Sequence, residues 1–182
     1  QAISRLALPF VCNPIELFPL GHAAGMAALK SAMAQMRAGQ HELCLIAGAD
    51  SYLQIETLSW LDQNRQLSTS YHRGAFCPGE GAGAFAVASE SAVGRLGLCS
   101  LARVRGIGSA MEARRIKTDT VCLGEGLTMA IRNATASLEL PHETVDGILC
   151  DINGERYRVE EWGFVMLRLA EAFVDPTAYE LP

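Results

Sequence analysis

His22 occupies the turn between an apolar run and a helix, in the stretch Pro19-Leu20-Gly21-His22-Ala23-Ala24-Gly25-Met26-Ala27-Ala28-Leu29. The run from Ile15 to Leu20 reads as a strand, and Ala23 to Met36 reads as a helix whose alanines permit close packing. A strand-to-helix elbow is a place to hold a reactive side chain. An imidazole there is suited to proton transfer near neutral pH. A second group of chemistry-bearing residues follows Asp151: Asn153, Glu155, Arg156, Tyr157, Arg158, Glu160 and Glu161. The plain reading of that group is a solvated helix start with ion pairs along the helix.

Glu80 lies in Gly79-Glu80-Gly81-Ala82-Gly83, which reads as a structural glycine turn. Its carboxylate is expected to be buried and to accept hydrogen bonds from the backbone amides of that turn. The chain has 6 Cys residues, at positions 12, 44, 77, 99, 122 and 150, each alone in an apolar stretch. Neither the paired spacing of a zinc site nor a secreted disulfide framework is present. They are expected to be small buried hydrophobes in a reducing compartment, and no metal or cofactor is implied.

The elements that must position these residues alternate between strand and helix. The first part offers a strand from Ile15 to Leu20, a helix from Ala23 to Ala38 and a strand from Leu43 to Ala47. A helical piece from Ile55 to Gln63, a long loop from Leu67 to Gly81 and a strand from Gly83 to Ala88 follow. Beyond a division near Gly94 come a strand from Leu98 to Ile107, a charged loop from Met111 to Thr120 and a helix from Gly124 to Leu138. A strand from Gly147 to Asp151 and a helix from Val159 to Phe173 close the series. This alternation predicts an α/β fold with mostly parallel sheets and crossover helices.

Four motifs occur in order: the His22 turn, Gly48-Ala49-Asp50-Ser51, Arg65-Gln66-Leu67-Ser68, and Arg73-Gly74-Ala75-Phe76-Cys77-Pro78-Gly79-Glu80-Gly81-Ala82-Gly83. Together they resemble the β-ketoacyl synthase branch of the thiolase-like superfamily, closely over Ile15 to Glu90 and weakly from Ser100 to about Leu169. The resemblance implies a partial αβαβα layered fold, with residues 1–94 in the N-terminal half and 95–182 in the C-terminal half. It implies acyltransferase chemistry of fatty-acid or polyketide assembly, an acyl-carrier protein or acyl-CoA thioester as partner, and a homodimer or pairing with another synthase-like chain. In that family a Cys stands where this chain has His22, and the first catalytic His stands where it has Asp151. The family's loop threonines become Asn153 and Glu155, and Phe76 matches a residue beside the acyl pocket.

With no thiol at the elbow, standard Cys-dependent condensation is not expected. The family positions of His22 and Asp151 line one small pocket, so the resemblance implies that the two side chains face each other. They would form either an acid-base pair for thioester transfer or hydrolysis, or a hydrogen-bonded pair refilling an inactive site.

Composition agrees with a buried α/β chain, since 49% of the 182 residues are hydrophobic and 19% charged. A net charge of -5 and a pI near 5.4 argue against a nucleic-acid surface, which needs clustered Lys and Arg. Scattered Arg103, Arg105, Arg114 and Arg115 read as surface residues. No targeting or membrane-spanning run is visible, which makes a cytoplasmic location the expectation.

Overall fold

The computed structural model describes residues 15–114 and 120–180. Residues 15–20 form no strand, contrary to expectation, because Glu16 ties them to a helix instead of a ladder. Its carboxylate accepts hydrogen bonds from Ser31 Oγ at 3.0 Å and Gln35 Nε2 at 2.8 Å. A single 3-10 turn, Gly21–Ala23, then leads into α1, Ala24–Arg37. Gly21 has a φ of 56°, a left-handed conformation that glycine adopts without a Cβ penalty.

Helix α1 buries Leu29 and Ala32 against Ile46, with Ala28, Met33, Cys44, Val87 and Ile107 packed around them. Ile46 belongs to β1, Leu43–Ser51, which pairs with β2, Glu80–Ala88. This pairing is antiparallel, contrary to the parallel arrangement expected from the β/α order. The reason lies in the connection. The chain leaves β1 at Ser51, passes through α2, Ile55–Gln63, and loops back over residues 64–79. Tyr52 N–H then bonds Gly79 C=O at 3.0 Å, so the chain re-enters at the end it left.

The glycine turn is corrected too. Glu80, Gly81 and Gly83 lie inside β2, with Gly79 just before it, because the segment pairs residue by residue with β1. After β2, Ser89 caps a helix that the sequence reading missed, α3, Glu90–Leu96. Ser89 Oγ accepts from Ala92 N–H, and Gly97 at φ 62° ends the helix.

Residues 98–107, expected as a strand, join no ladder among the described residues. They lie instead along α4, Glu125–Thr135. A Cβ on Gly106 or Gly108 would collide with the α4 backbone at Ala134 and Ala130, so these glycines permit the approach. Arg105 forks onto Glu143 at 3.1 and 3.0 Å, and Lys30 Nζ donates to Ser109 Oγ at 2.6 Å, tying this segment to both halves of the chain.

The second core forms around α5, Arg156–Leu169. Ile152, Trp162, Val165, Leu169, Ala172 and Phe173 are buried together. Trp162 meets Phe173 edge to face at 5.6 Å and donates Nε1–H to Pro176 C=O at 3.2 Å. Beside it, β3, Ile148–Leu149, pairs in parallel with β4, Tyr179–Glu180. Helices α4 and α5 are joined by Arg168, whose Nη1 donates to Leu123 C=O at 2.6 Å and Thr128 Oγ1 at 3.1 Å.

The cysteines depart from expectation. Cys77 and Cys99 are exposed, while Cys44, Cys122 and Cys150 are half-buried, because their strands and loops have one open side. Cys12 and Arg115 lie outside the described residues.

Val165 has no exposed surface, whereas Leu167 on the opposite side of α5 is 83% exposed. Val165→Ala is expected to cost about 2 kcal/mol in urea unfolding through lost burial and a residual cavity. Leu167→Ala is expected to stay within about 0.5 kcal/mol.

Candidate functional site

The start of α1 overhangs the end of the β1/β2 pair, leaving an open hollow of about 460 Å³. His22 lines it together with Phe18, Pro19 and Gly21 on one side and Gly48, Asp50, Gly81 and Gly83 on the other. Strand alternation explains the assignment. Ile46 faces α1, so Gly48 and Asp50, two and four positions on, face the same way. Their cross-strand partners are Gly83 and Gly81, and a Cβ on Gly48, Gly81 or Gly83 would meet nothing within 4 Å. The hollow is therefore floored by absent side chains.

The amides at the helix start are also available. Ala23 N–H makes the first bond of the turn, to Leu20 C=O at 3.3 Å, while the N–H groups of Gly21 and His22 have no acceptor among the described residues.

Asp151 sits elsewhere. It is exposed, does not line the hollow that holds His22, and its carboxylate pairs with the guanidinium of Arg158. Arg158 Nε also donates to Glu155 at 3.1 Å, and Asn153 Nδ2 donates to the same carboxylate at 3.2 Å. Asn153 and Glu155 thus belong to a polar clamp at the start of α5 and not to the hollow. Glu155 is buried at 8% exposure, paired as a buried charge must be. The sequence reading of ion pairs at this helix start holds: Arg156 also bonds Glu160 four residues on, at 2.6 Å.

Gly154 links this clamp to the long loop. At φ 99° its backbone passes so close to Ala75 C=O that a Cβ would stand 3.0 Å away. The neighbouring Phe76 is half-buried and packs edge-on against Tyr52 at 5.4 Å. Glu80 does not hold backbone amides. It is exposed and accepts from Ser51 Oγ at 3.0 Å across the strand pair. The one site signal the sequence reading passed over is Asp50, legible as an acid two residues beyond Gly48 in a strand with period two.

Three potential metal-ligating residues, Glu112, Cys122 and Glu161, bring their ligand atoms within 4.8 Å of one another. Each has a protein role. Desolvation opposes ionisation of Glu112, but backbone amides including that of Gly126 hold its carboxyl below the ordinary range, so it caps α4. The Cys122 thiol, pushed up chiefly by burial, donates to Glu161 at 3.3 Å.

A comparison with protein families finds no match, and one with curated proteins finds none. Solved structures do match. A type II polyketide ketosynthase bound to a hexaketide, in complex with its acyl-carrier protein, superposes with a TM-score of 0.67 at 16% identity, covering 92% of this chain and 44% of that one. The ketosynthase from module 6 of the Bacillus subtilis bacillaene synthase gives 0.65 at 16% identity, over 87% and 30% of the two chains. A β-ketoacyl synthase from Burkholderia phymatum gives 0.62 at 18%, over 80% and 38%. The chain has a partial ketosynthase fold of the thiolase-like, mixed α/β class. It spans less than half the length of each of these structures.

Burial pushes the Tyr157 hydroxyl up to about 12, Glu155 adding to the rise while the Arg158 charge opposes it. The unfolded chain would release this proton near 10, so the stability held by the neutral phenol is present below pH 10 and lost as the pH rises through 12. Spectrophotometric titration at alkaline pH is expected to show a late phenolate step that Tyr157→Phe removes. Persistence of the step in that variant would assign it to another tyrosine.

Proposed function

We propose that this chain is a ketosynthase-like component of fatty-acid or polyketide assembly that does not load an acyl group at the helix elbow and acts as a non-catalytic, structural partner. The observation that carries this reading is His22. It stands at the start of α1, where the resemblance puts the acyl-bearing cysteine, and an imidazole cannot form the thioester. Residues 1–94 and 95–182 act on this reading as parts of the two thiolase-like halves. An acyl-carrier protein or an acyl-CoA thioester is the proposed partner, by analogy with the ketosynthase whose structure includes a carrier protein. A cytoplasmic setting accords with the isolated cysteines, and no helix among the described residues is long and apolar enough to cross a membrane.

A second reading keeps thioester chemistry, as acyl transfer or hydrolysis with His22 as base. His22 is exposed in a hollow that can admit a substrate, which favours it. The resemblance pairs His22 with Asp151, whose carboxylate here holds Arg158. Incubation with an acyl-carrier protein or acyl-CoA, followed by intact-mass measurement, separates the two readings. The structural role predicts no covalent adduct and thioester turnover unchanged by His22→Ala. An adduct on a cysteine would overturn that role, and turnover abolished in His22→Ala would establish the acid-base role.

Association is part of the proposed role. On the sheet face away from α1, Leu43 and Leu45 are 53% and 60% exposed, followed along the strands by Ala47, Ala84 and Ala86. A flat apolar face of this kind is poorly suited to water. A homodimer or a complex with another synthase-like chain would cover it. In sedimentation velocity, Leu45→Lys is expected to shift the chain toward the monomer. An unchanged distribution would place any association elsewhere.

A further inference from the structure

One edge of the β1/β2 pair is open. Ser89 N–H bonds Glu42 C=O at 2.9 Å and Tyr52 N–H bonds Gly79 C=O at 3.0 Å, so the even-numbered residues of β1 are the ones that exchange hydrogen bonds with β2. The N–H and C=O groups of Leu43, Leu45, Ala47 and Ala49 therefore point away from β2, and they have no hydrogen-bond partner among the described residues. A charge, a proline or a bulge commonly keeps such an edge from accepting a further strand. From Leu43 to Ala49 the sequence holds no charge and no proline, and its register with β2 runs without a break. The outer edge of β2 differs, because its outward groups begin at the charged Glu80 and continue through alanines.

The character of β1 also changes along its length. Leu43 and Leu45 are exposed at its start, while Asp50 and Ser51 stand at its end. A second copy of the strand, run antiparallel, matches it when the apolar halves overlap. Centring the pair on Ile46 would set Glu42 opposite Asp50 of the second copy, a like-charge contact. Centring it on Ala47 would set Leu43 opposite Ser51 and bring Asp50 to Cys44, where the Glu16 charge is already felt. Centring it on Leu45 sets Leu45 against its own mate, Leu43 against Ala47 and Glu42 against Gly48, with Asp50 beyond the overlapping strands.

We propose that two copies of this chain join through the open edge of β1, antiparallel and centred on Leu45, into one continuous sheet of strand order β2-β1-β1-β2. The contact is two-fold and self-complementary. The leucines of both copies then form a single apolar patch on the face away from α1, and the outward backbone groups of Leu43, Leu45 and Ala47 find partners. The proposal rests on the association reading above and specifies its edge, register and occupant.

The test is sedimentation velocity of the full chain over a concentration series, with and without Ala47→Pro. The Ala47 N–H takes no part in the β1/β2 ladder, so proline removes an outward donor, is tolerated at an edge, and leaves the leucines in place. It is expected to weaken the dimer at least about tenfold, the scale of losing two symmetry-related hydrogen bonds. Register is read from Leu45→Cys. Hydrogen-bonded antiparallel partners lie about 5.5 Å apart at Cα, within disulfide reach, so mild oxidation and peptide mapping should find position 45 of one copy bridged to position 45 of the other. Ala84→Cys, at the outer edge of β2, should give no such bridge. Far-UV circular dichroism reports whether Ala47→Pro folds, and the cross-link decides alone if it does not. A dimer disrupted by Leu45→Lys but unchanged by Ala47→Pro would overturn the edge in favour of packed leucine faces. A bridge in Ala84→Cys but not in Leu45→Cys would also overturn it. A chain that stays monomeric at every concentration would overturn the second copy as occupant, in favour of a different synthase-like chain. Each of these failures leaves the reading of His22 standing, since acyl loading is measured separately by intact mass.

Discussion

The seating of α1 on the β1/β2 pair governs the geometry around His22. Leu29 and Ala32 meet Ile46, and small residues along α1 let the helix approach the sheet closely. That contact determines where the helix begins relative to the strands, and so where His22 stands. Because the same strand face carries Gly48 and Asp50 beyond Ile46, and Gly83 and Gly81 opposite them, the sheet has a packed end and an empty end. The hollow is the empty end. An alanine-rich helix over a glycine-bearing strand pair is thus both a packing solution and the origin of the site.

The second half is organised around different physics. Val165, Trp162, Leu169 and Phe173 exclude water from a larger apolar cluster, and a buried charge network stands at its margin. Arg158 is held between Asp151 and Glu155, which sustain its charge against the desolvation that disfavours it. A half-buried guanidinium without such partners would be costly. Asp151 therefore satisfies an electrostatic requirement of α5, which explains why it is not left free to face His22. The halves meet through specific contacts, including Ile107 in the first core and the Gly154 backbone against Ala75.

Local pattern made much of this legible. The alanines of α1, the bounds of α2 at Ile55–Gln63 and the amphipathic spacing of α4 follow from the sequence with small end shifts. The fold class follows from motif order, and the ketosynthase structures bear it out. Residues 98–107 have a strand-like composition but form no ladder, since composition cannot tell a strand from an irregular segment laid on a helix by Gly106 and Gly108. Glu80 and its glycines read as a turn, yet a partner strand in register makes them β2.

The sequence by itself determined the local propensities, the period-two faces of the strands and the presence of an imidazole at a helix start in place of a thiol. Those depend on neighbouring residues and on chemical identity, which a linear chain carries. Only the tertiary structure decided which acid shares the hollow with His22. Asp50 lies 28 positions away along the chain and Asp151 lies 129 away, counting from their residue numbers. Neither separation specifies proximity. The antiparallel return of β2 set the glycine floor beneath Asp50, and the desolvated charge of Arg158 drew Asp151 to the start of α5.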